Sequence, residues 1–541
     1  MRKLRLSLSV ACVIVGAGFG APALAQEASL SQQDCEALAG FELLVDAIEL
    51  ETTGGVVDSA TWMETDSHGT YCEVMGSINP VDPQAWPILW QANLPSKWNG
   101  KAIQYGGGGY NGTIPNTLRH VQLGLTTTAT PLAQGYVTFG GDSGHPPESG
   151  GGAAFARNHE ALVNYGYAHI GKTFDAMTTV AEQAYGEAAD LVYFSGGSTG
   201  GREGLTAAMR WPDSYDGVIT YYPSAHFMGL RLWGVALADA IYSDDSAGWF
   251  PPELVDTIAE RAIELCDPLD GAEDGLVSNP AACRAVSSSI VDDLRCPEGQ
   301  EDETCLNQTQ IDRVIGVYHE GYSLPYELGG LSEYPGYNSL EGVVMNIGTQ
   351  AEFINPPPSG PNAHHVNRAF QFTTNFVDTS EDFDLLAFDI QSPGEHQERL
   401  VELAEIIGAT ETDLSDFSNS GGKIIWIHGT DDPSITPWSS VALVDRIRDD
   451  MGDEAVDEFL RFYVVPGLAH GGGRFSPEID TLAALDNWVE NGVPPAGMIM
   501  VDGTDSETRG RTRPVCEYPA FPMYSGDGDI NEASSYHCAT E

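Results

Sequence analysis

Basic side chains are scarce in this sequence. It has 25 lysines and arginines against 78 aspartates and glutamates, a formal net charge of −53 over 541 residues. A negative field of that size repels phosphate backbones and anionic lipid surfaces, so nucleic-acid binding by electrostatic attraction is excluded as a function class. The acidic residues are scattered rather than gathered in a tail, and we interpret them as a heavily hydrated surface.

Long apolar runs are absent after the N-terminal segment, so no later part of the chain is expected to enter a membrane. The segment itself has a basic start, then an apolar run, then small residues at Ala23–Ala25. This order is typical of a secretory signal peptide, here residues 1–25. A membrane anchor is the alternative, but the apolar run is shorter than the roughly 20 residues that span a bilayer. We expect a secreted or periplasmic protein that begins near Gln26.

The sequence also lacks any C-x-x-C pair, which argues against a zinc site. Eight of its nine cysteines follow the N-terminal segment. An even number of cysteines in an oxidising compartment predicts disulfides, although about 105 connectivities are possible. Proximity along the chain favours four pairs, namely Cys266 with Cys283, Cys296 with Cys305, Cys516 with Cys538, and Cys35 with Cys72.

Short apolar runs that lead into glycine-rich turns and helical stretches recur in two parts of the chain. The runs are Lys101–Tyr105, Tyr136–Phe139, Leu191–Phe194, Val218–Tyr221, Lys423–Ile427 and Phe459–Val465. Strands that alternate with helices in this way predict an α/β fold.

The pattern is interrupted between about residues 224 and 420, where four cysteines, an acidic loop and a proline-rich stretch occur. Loops at one end of a sheet tolerate large insertions. We therefore expect a lid domain at 224–420, inserted between two parts of the core at 26–223 and 421–541.

Gly196-Gly197-Ser198-Thr199-Gly200 matches the G-x-S-x-G nucleophile elbow of α/β-hydrolases. In that motif the serine occupies a sharp strand-to-helix turn, and the flanking glycines relieve crowding. An ordinary glycine turn is the alternative, but a predicted strand precedes this motif and a predicted helix, Glu203–Met209, follows it. The context predicts an α/β-hydrolase with Ser198 as nucleophile.

The elbow motif requires an acid and then a histidine later in the chain. Asp432 lies in the turn after the predicted strand Lys423–Ile427, before a proline that favours extended backbone. Asp431 is the alternative acid, but it suits a helix-capping role better. His470 follows the last predicted strand in a glycine-flanked loop, whereas His428 precedes the acid and so has the wrong order.

The oxyanion of acyl transfer needs two backbone N–H donors. One is expected from Thr199, directly after the nucleophile. The second is expected from the early glycine run Gly106–Gly109, with Gly108 and Gly109 as candidates.

Three segments together resemble the tannase and feruloyl esterase family, which includes the mono(2-hydroxyethyl) terephthalate hydrolases. They are Ser198–Arg202, His428–Pro433 and Val465–His470. The resemblance runs from about Cys35 to Cys538, and it supports the triad and the four cysteine pairs. It implies an ester hydrolase for aromatic acids such as ferulate, gallate or a terephthalate monoester. The lid would then supply the pocket, with Phe370, Phe372 or Phe376 as aromatic wall and Arg368 facing a substrate carboxylate or forming a surface ion pair.

A fourth segment, Cys266–Leu276, resembles the calcium loop of the same family. The resemblance implies Ca²⁺ bound by the side chains of Asp267, Asp270 and Asp274 and by the carbonyl groups of Ala272 and Leu276. Three carboxylates in a glycine-turned loop supply the hard oxygen ligands that calcium prefers. An acidic turn without a metal is the alternative in so acidic a chain.

The sequence departs from the family beside its nucleophile and its histidine. Relatives usually carry a cysteine before the serine and another after the histidine, bridged to each other, where this chain has Gly197 and Gly471. Without that bridge we expect a more mobile His470 loop.

Two other functions remain open from the sequence. An exported lipase or peptidase on the same fold would keep the triad but cleave other bonds. A non-catalytic calcium-dependent binding protein would keep the fold without needing His470.

Overall fold

A ten-stranded mixed sheet forms the centre of the protein in a computed structural model, which describes residues 28–146, 152–300, 302–380, 383–504 and 508–540. The signal peptide expected at residues 1–25 lies outside these described residues. The strands in chain order are β1 Glu42–Leu43, β2 Gly55–Thr65, β3 Gly69–Ile78, β4 Ile88–Pro95, β5 Lys101–Tyr105, β6 Val137–Gly141, β7 Leu191–Gly197, β8 Gly217–Tyr221, β9 Lys423–Gly429 and β10 Leu460–Val465. Across the sheet their order is β10-β9-β8-β7-β5-β6-β4-β3-β2-β1.

The strands β5 to β10 are parallel and form one half of the sheet. Their sequences are apolar on both faces because both faces are covered, as parallel sheets require. In β9, Ile424 and Trp426 pack into one hydrophobic cluster, while Ile425 and Ile427 pack into the cluster on the opposite face. All six strands of this half were predicted, with ends that differ by at most three residues from the observed ones.

The other half of the sheet, β1 to β4, is antiparallel. It joins the parallel half where β4 pairs with β6. This half was not predicted, because its strands have no glycine-turn-and-helix sequence between them. Instead β2 and β3 form a hairpin in which buried and more exposed residues tend to alternate along β3.

Helices cover the sheet and build a second region beside it. Those of nine or more residues, in the described part of the chain, are α1 His169–Tyr185, α2 Thr199–Arg210, α3 Phe227–Ser246, α4 Pro252–Cys266, α5 His364–Phe372, α6 Gln397–Ile407, α7 Pro437–Met451 and α8 Thr481–Asn491. The backbone of α3 is non-helical from Ser243 to Asp245.

Residues 224–420, here called the inserted segment, place no described strand in the ten-stranded sheet. They contribute α3 to α6 and a two-stranded sheet of Gly321–Leu328 with Leu331–Pro335. Most of one large hydrophobic cluster, which includes Trp233 and Phe372, belongs to this segment. The segment therefore buries apolar side chains of its own at the edge of the core.

Four disulfides join the cysteine pairs that were expected, namely Cys35–Cys72, Cys266–Cys283, Cys296–Cys305 and Cys516–Cys538. Two of them close short loops inside the inserted segment. Throughout the part of the chain that the structure describes, every helix is too short or too polar to cross a bilayer.

Candidate active site

Ser198 occupies the sharp turn between β7 and α2. Its backbone has φ 59° and ψ −122°, a region that non-glycine residues rarely adopt and that occurs at functional sites. The turn also depends on its glycines. A Cβ on Gly196 would lie 2.4 Å from the carbonyl oxygen of Gly200, and one on Gly200 would lie 2.7 Å from that of Gly107. The sequence GGSTG thus folds into the turn that the elbow motif predicts.

Asp432 and His470 lie in the loops that follow β9 and β10, two neighbouring parallel strands. His470 Nδ1 is 2.7 Å from Asp432 Oδ2. Asp432 Oδ1 accepts hydrogen bonds from the backbone N–H groups of Ser434 at 2.7 Å and Ile435 at 3.0 Å. The carboxylate is fully buried, so these bonds fix its orientation and, through it, the orientation of the imidazole.

Opposing effects set the pKa of Asp432. Burial alone would raise it, but the charge of His470 and hydrogen bonds from His428 and His470 lower the pKa below its usual range. His428 Nε2 lies 3.5 Å from Asp432 Oδ2. A carboxylate that stays ionised beside an imidazole stabilises the imidazolium that forms during acyl transfer.

The two alternative residues are engaged elsewhere. Asp431 accepts a hydrogen bond from Arg474 Nη1 at 2.8 Å. His428 is fully buried, and its Nδ1 lies 2.7 Å from Ser440 Oγ. Neither residue lines the two described cavities at Ser198.

Both of these cavities are lined by Ser198 and His470. One has a volume of about 220 Å³, and half of the residues that line it belong to the inserted segment. The other has a volume of about 290 Å³ and lies toward the glycine run Gly106–Gly109. Because Ser198 and His470 line both cavities, they can act on a substrate whose two parts, joined by the reacting bond, lie one in each cavity.

The glycine run Gly106–Gly108 lines the same cavity as Ser198. The backbone N–H groups of Gly106 and Gly107 already donate to a strand carbonyl at 3.0 Å and to a buried glutamate at 2.9 Å. Gly108 and Gly109 are thereby left as candidate oxyanion donors. The Thr199 hydroxyl donates to the Gly109 carbonyl at 2.6 Å, which holds this part of the run against the start of α2.

A residue that the sequence analysis missed, Glu203, holds the glycine run in place. It is fully buried and accepts hydrogen bonds from Gly107 N at 2.9 Å and Asn111 Nδ2 at 2.6 Å. Its carboxylate also lies 3.5 Å from His169 Nε2 and 3.9 Å from Arg202 Nη2. No local pattern indicates this role, because all but one of these partners are distant in sequence.

The predicted substrate-binding residues occupy different environments. Arg368 lines the smaller cavity, and its guanidinium lies 5.4 Å from the centre of the Tyr110 ring. Phe370 packs partly exposed against the hydrophobic cluster of the inserted segment, and Phe372 is fully buried within it, as is Phe376. These three rings are not among the described residues that line either cavity.

One further arginine, Arg231, and two histidines, His364 and His365, line the smaller cavity and were not predicted. Arg231 packs its guanidinium 5.2 Å from the centre of the Tyr110 ring. Burial and then the charges of Arg368 and Arg231 lower the pKa of His364 to about 4. At neutral pH, Arg231 and Arg368 therefore give the smaller cavity its positive charge, whereas His364 is neutral.

The predicted calcium loop, Cys266–Leu276, is folded around its own carboxylates. Asp267, Asp270 and Asp274 each accept a hydrogen bond of 3.0 Å from a backbone N–H group within the loop. Asp274 also pairs with Arg513. In the residues that the structure covers, no group of three or more His, Cys, Asp or Glu side chains converges as a metal site.

The three carboxylates nevertheless repel one another. Burial first, and the charge of Asp274 to a smaller extent, raise the pKa of Asp270 to about 6 and raise that of Asp267. A divalent cation would relieve this repulsion, and a set of oxygen donors suits calcium. The loop therefore fits the ion in charge and donor type.

The sequence pattern described as "Tannase and feruloyl esterase" matches residues 72–539. The chain belongs to this family. An "Uncharacterized esterase" of Agrobacterium fabrum is 53% identical to it, over 100% of this chain and 98% of the relative. The mono(2-hydroxyethyl) terephthalate hydrolase of Piscinibacter sakaiensis is 28% identical over 87% of this chain and 85% of the relative.

Solved structures of the family have the same fold. Feruloyl esterase B from Aspergillus oryzae superposes with a TM-score of 0.74 at 22% identity, over 94% of this chain and 100% of that one. The tannin acyl hydrolase of Aspergillus niger superposes with a TM-score of 0.66 at 18% identity, over 94% and 95%. The predicted α/β-hydrolase fold and the predicted family are confirmed, and so is the class of enzyme, an ester hydrolase.

Proposed function

We propose that this tannase-family protein is an exported serine carboxylesterase that forms an acyl-enzyme on Ser198. The observation that carries the proposal is the 2.7 Å hydrogen bond between His470 and the buried Asp432, beside a serine in strained backbone geometry. Ser198 and His470 share two cavities, which gives space for the acyl and alcohol parts of an ester.

Each residue has one role in the proposed reaction. His470 takes the hydroxyl proton of Ser198 as Oγ attacks the ester carbonyl, and it passes that proton to the alcohol as the C–O bond breaks. His470 then takes a proton from the water that attacks the acyl carbon, and it returns this proton to Ser198 Oγ as the acyl–Oγ bond breaks and the acid leaves. Asp432 stabilises the imidazolium in both steps. The amides of Thr199 and of Gly108 or Gly109 bind the oxyanion.

We assign aromatic acids as the acyl group. Relatives are named for the hydrolysis of ferulate and terephthalate esters, and the smaller cavity has the positive charge to attract an electron-rich or carboxylate-bearing ring. Arg368 is the residue that would meet a carboxylate of the substrate. The two cavities at Ser198 are where the ester would lie.

The function test compares wild type with Ser198→Ala on methyl ferulate, methyl gallate and mono(2-hydroxyethyl) terephthalate, with the released acids measured by chromatography. Release by wild type alone is expected. An anilide analogue of the best substrate is included, because faster cleavage of the amide would instead favour a peptidase. No release by wild type from any ester would favour a binding protein.

Two accompanying proposals concern calcium binding and export. Calcium binds the loop through Asp267, Asp270 and Asp274 together with the carbonyl groups of Ala272 and Leu276, and it stabilises the inserted segment without taking part in the reaction. The chain is exported after removal of residues 1–25, in keeping with its four disulfides. Mass spectrometry of the mature protein should then find an N-terminus near Gln26.

A further inference from the structure

Two side chains fill the space between the nucleophile turn and the histidine loop. A Cβ on Gly197, next to the nucleophile, would lie 2.3 Å from Gln122 Oε1 and 2.9 Å from Tyr222 Cε2. A Cβ on Gly471, next to His470, would lie 3.4 Å from the Tyr222 hydroxyl oxygen and 3.9 Å from Gln122 Nε2. The same two side chains therefore lie next to both glycines.

The two side chains are joined to each other and to the histidine. Gln122 Nε2 donates a hydrogen bond to the Tyr222 hydroxyl oxygen. The Tyr222 ring lies against the His470 ring, with 4.6 Å between ring centres and 47° between planes. Rotation of the imidazole away from Asp432 on this side would run into the tyrosine ring.

Tyr222 is itself firmly held. It directly follows β8, its side chain is almost completely buried, and its N–H donates to the Ile427 carbonyl in β9 at 2.7 Å. Its backbone has φ 33°, which a non-glycine residue rarely adopts. The backbone of Tyr222 is thus bonded to β9, the strand that is followed by the loop carrying Asp432. The positions of Tyr222 and Asp432 therefore both depend on β9.

We propose that Gln122 and Tyr222 form a non-covalent brace that positions His470 against Asp432 and Ser198. We assign them as positioning residues that act through His470, although both also line the larger cavity at Ser198. The brace predicts a less mobile histidine loop than the missing bridge alone suggests, because the Tyr222 ring lies against the His470 ring. Its kinetic consequences rest on the proposed function, while its structural consequences do not.

The test uses the full-length protein with Tyr222→Leu, Tyr222→Phe, Gln122→Ala and Gln122→Met. Loss of the ring in Tyr222→Leu should lower kcat by about 10²-fold with KM changed less than about threefold, because a small misplacement of a catalytic group has effects of that size. Tyr222→Phe and Gln122→Met should each lower kcat less. Their combination should have no larger effect than either alone, since both remove the same hydrogen bond.

Tyr221→Phe is the matched control. Tyr221 is the neighbouring residue, equally buried, and its hydroxyl pairs with Thr481 Oγ1 at 2.8 Å, away from the histidine. Loss of that bond should lower thermal stability and leave kcat unchanged. A kcat loss in Tyr221→Phe as large as in Tyr222→Phe would show a general packing effect and overturn the brace.

Hydrogen exchange measured by mass spectrometry gives a readout that does not need activity. Peptides covering 468–473 should exchange faster in Tyr222→Leu and in Gln122→Ala than in wild type, whereas peptides from β5 should not change. Unchanged exchange of 468–473 in both variants would overturn the proposal. If exchange rises but wild type cleaves no ester, the brace stands and the proposed function fails.

Discussion

Asp432 and Asp431 are neighbours in one turn with different partners. Asp432 binds His470, and Asp431 binds Arg474. We expect Asp432→Asn to lower kcat by about 10⁴-fold, because an amide at this position favours the wrong imidazole tautomer. The loss of kcat is measured from initial rates with the ester that wild type cleaves fastest. Asp431→Asn is the control and should lose stability but keep kcat within a few-fold. Equal losses of kcat in the two variants would contradict the assignment of Asp432.

Glu341 gives a prediction on pH-dependent stability. Burial raises its pKa from 4.5 to about 7. Between these values the folded state holds a proton that the unfolded state has lost, so this residue destabilises the fold increasingly as the pH rises from about 4.5 through 7. Glu341→Gln cannot ionise. Its stability relative to wild type should therefore increase from pH 5 to pH 8, by on the order of 3 kcal/mol.

Urea unfolding at both pH values measures this difference. Both Glu341 and the exposed Glu320 lie beside His319. Glu320→Gln is therefore the control, and its stability relative to wild type should not change with pH in this way. A constant stability difference between Glu341→Gln and wild type across this range would show that Glu341 has an ordinary pKa.

Calcium binding by the loop Cys266–Leu276 can be tested by thermal unfolding. Added Ca²⁺ should raise Tm over a chelator-treated sample, because an ion that binds only the folded state stabilises it by mass action. Asp270→Asn should remove most of that increase. Glu273→Gln, a change in the same loop outside the proposed ligand set, should keep it. An identical Tm with calcium and with chelator would refute the site, whatever the activity of the enzyme.

Elements with a strong local pattern were predictable from the sequence. The parallel strands β5 to β10 are apolar runs followed by glycine turns, so both their type and their ends could be read. The antiparallel strands β1 to β4 were missed because hairpin strands covered on one side carry a weaker, alternating pattern. Ser198, Asp432 and His470 could be chosen from the sequence because each lies within five residues after the end of one of these strands.

Site residues without such a position could not be found from the sequence. Glu203, Arg231 and Tyr222 act through partners that only the fold brings near them. Phe370 and Phe372 were expected as aromatic side chains of the pocket wall, but Phe372 is buried in the apolar core of the inserted segment and Phe370 packs against that core. A buried ring in the core and a ring in a pocket look the same in a sequence.

The charge of the whole molecule predicts a response to salt. With 78 acidic and 25 basic residues, self-repulsion destabilises the folded state when it is poorly screened. The screening length falls from about 30 Å at 0.01 M salt to about 8 Å at 0.15 M. We expect Tm to rise by several degrees over this range of NaCl and little beyond it. A flat Tm over the lower range would mean that the surface charges are already neutralised in pairs.

The position of the inserted segment has a consequence for synthesis of the chain. Ser198 and its glycine turn leave the ribosome first, then the whole inserted segment, and only afterwards β9 and β10 with Asp432 and His470. Until then β8 is an unpaired apolar edge, the kind of edge on which nascent chains associate wrongly. On the proposed function, the nascent chain carries Ser198 before the histidine that would activate it. We therefore expect a chain truncated before residue 470 to have no esterase activity, however well its first part has folded.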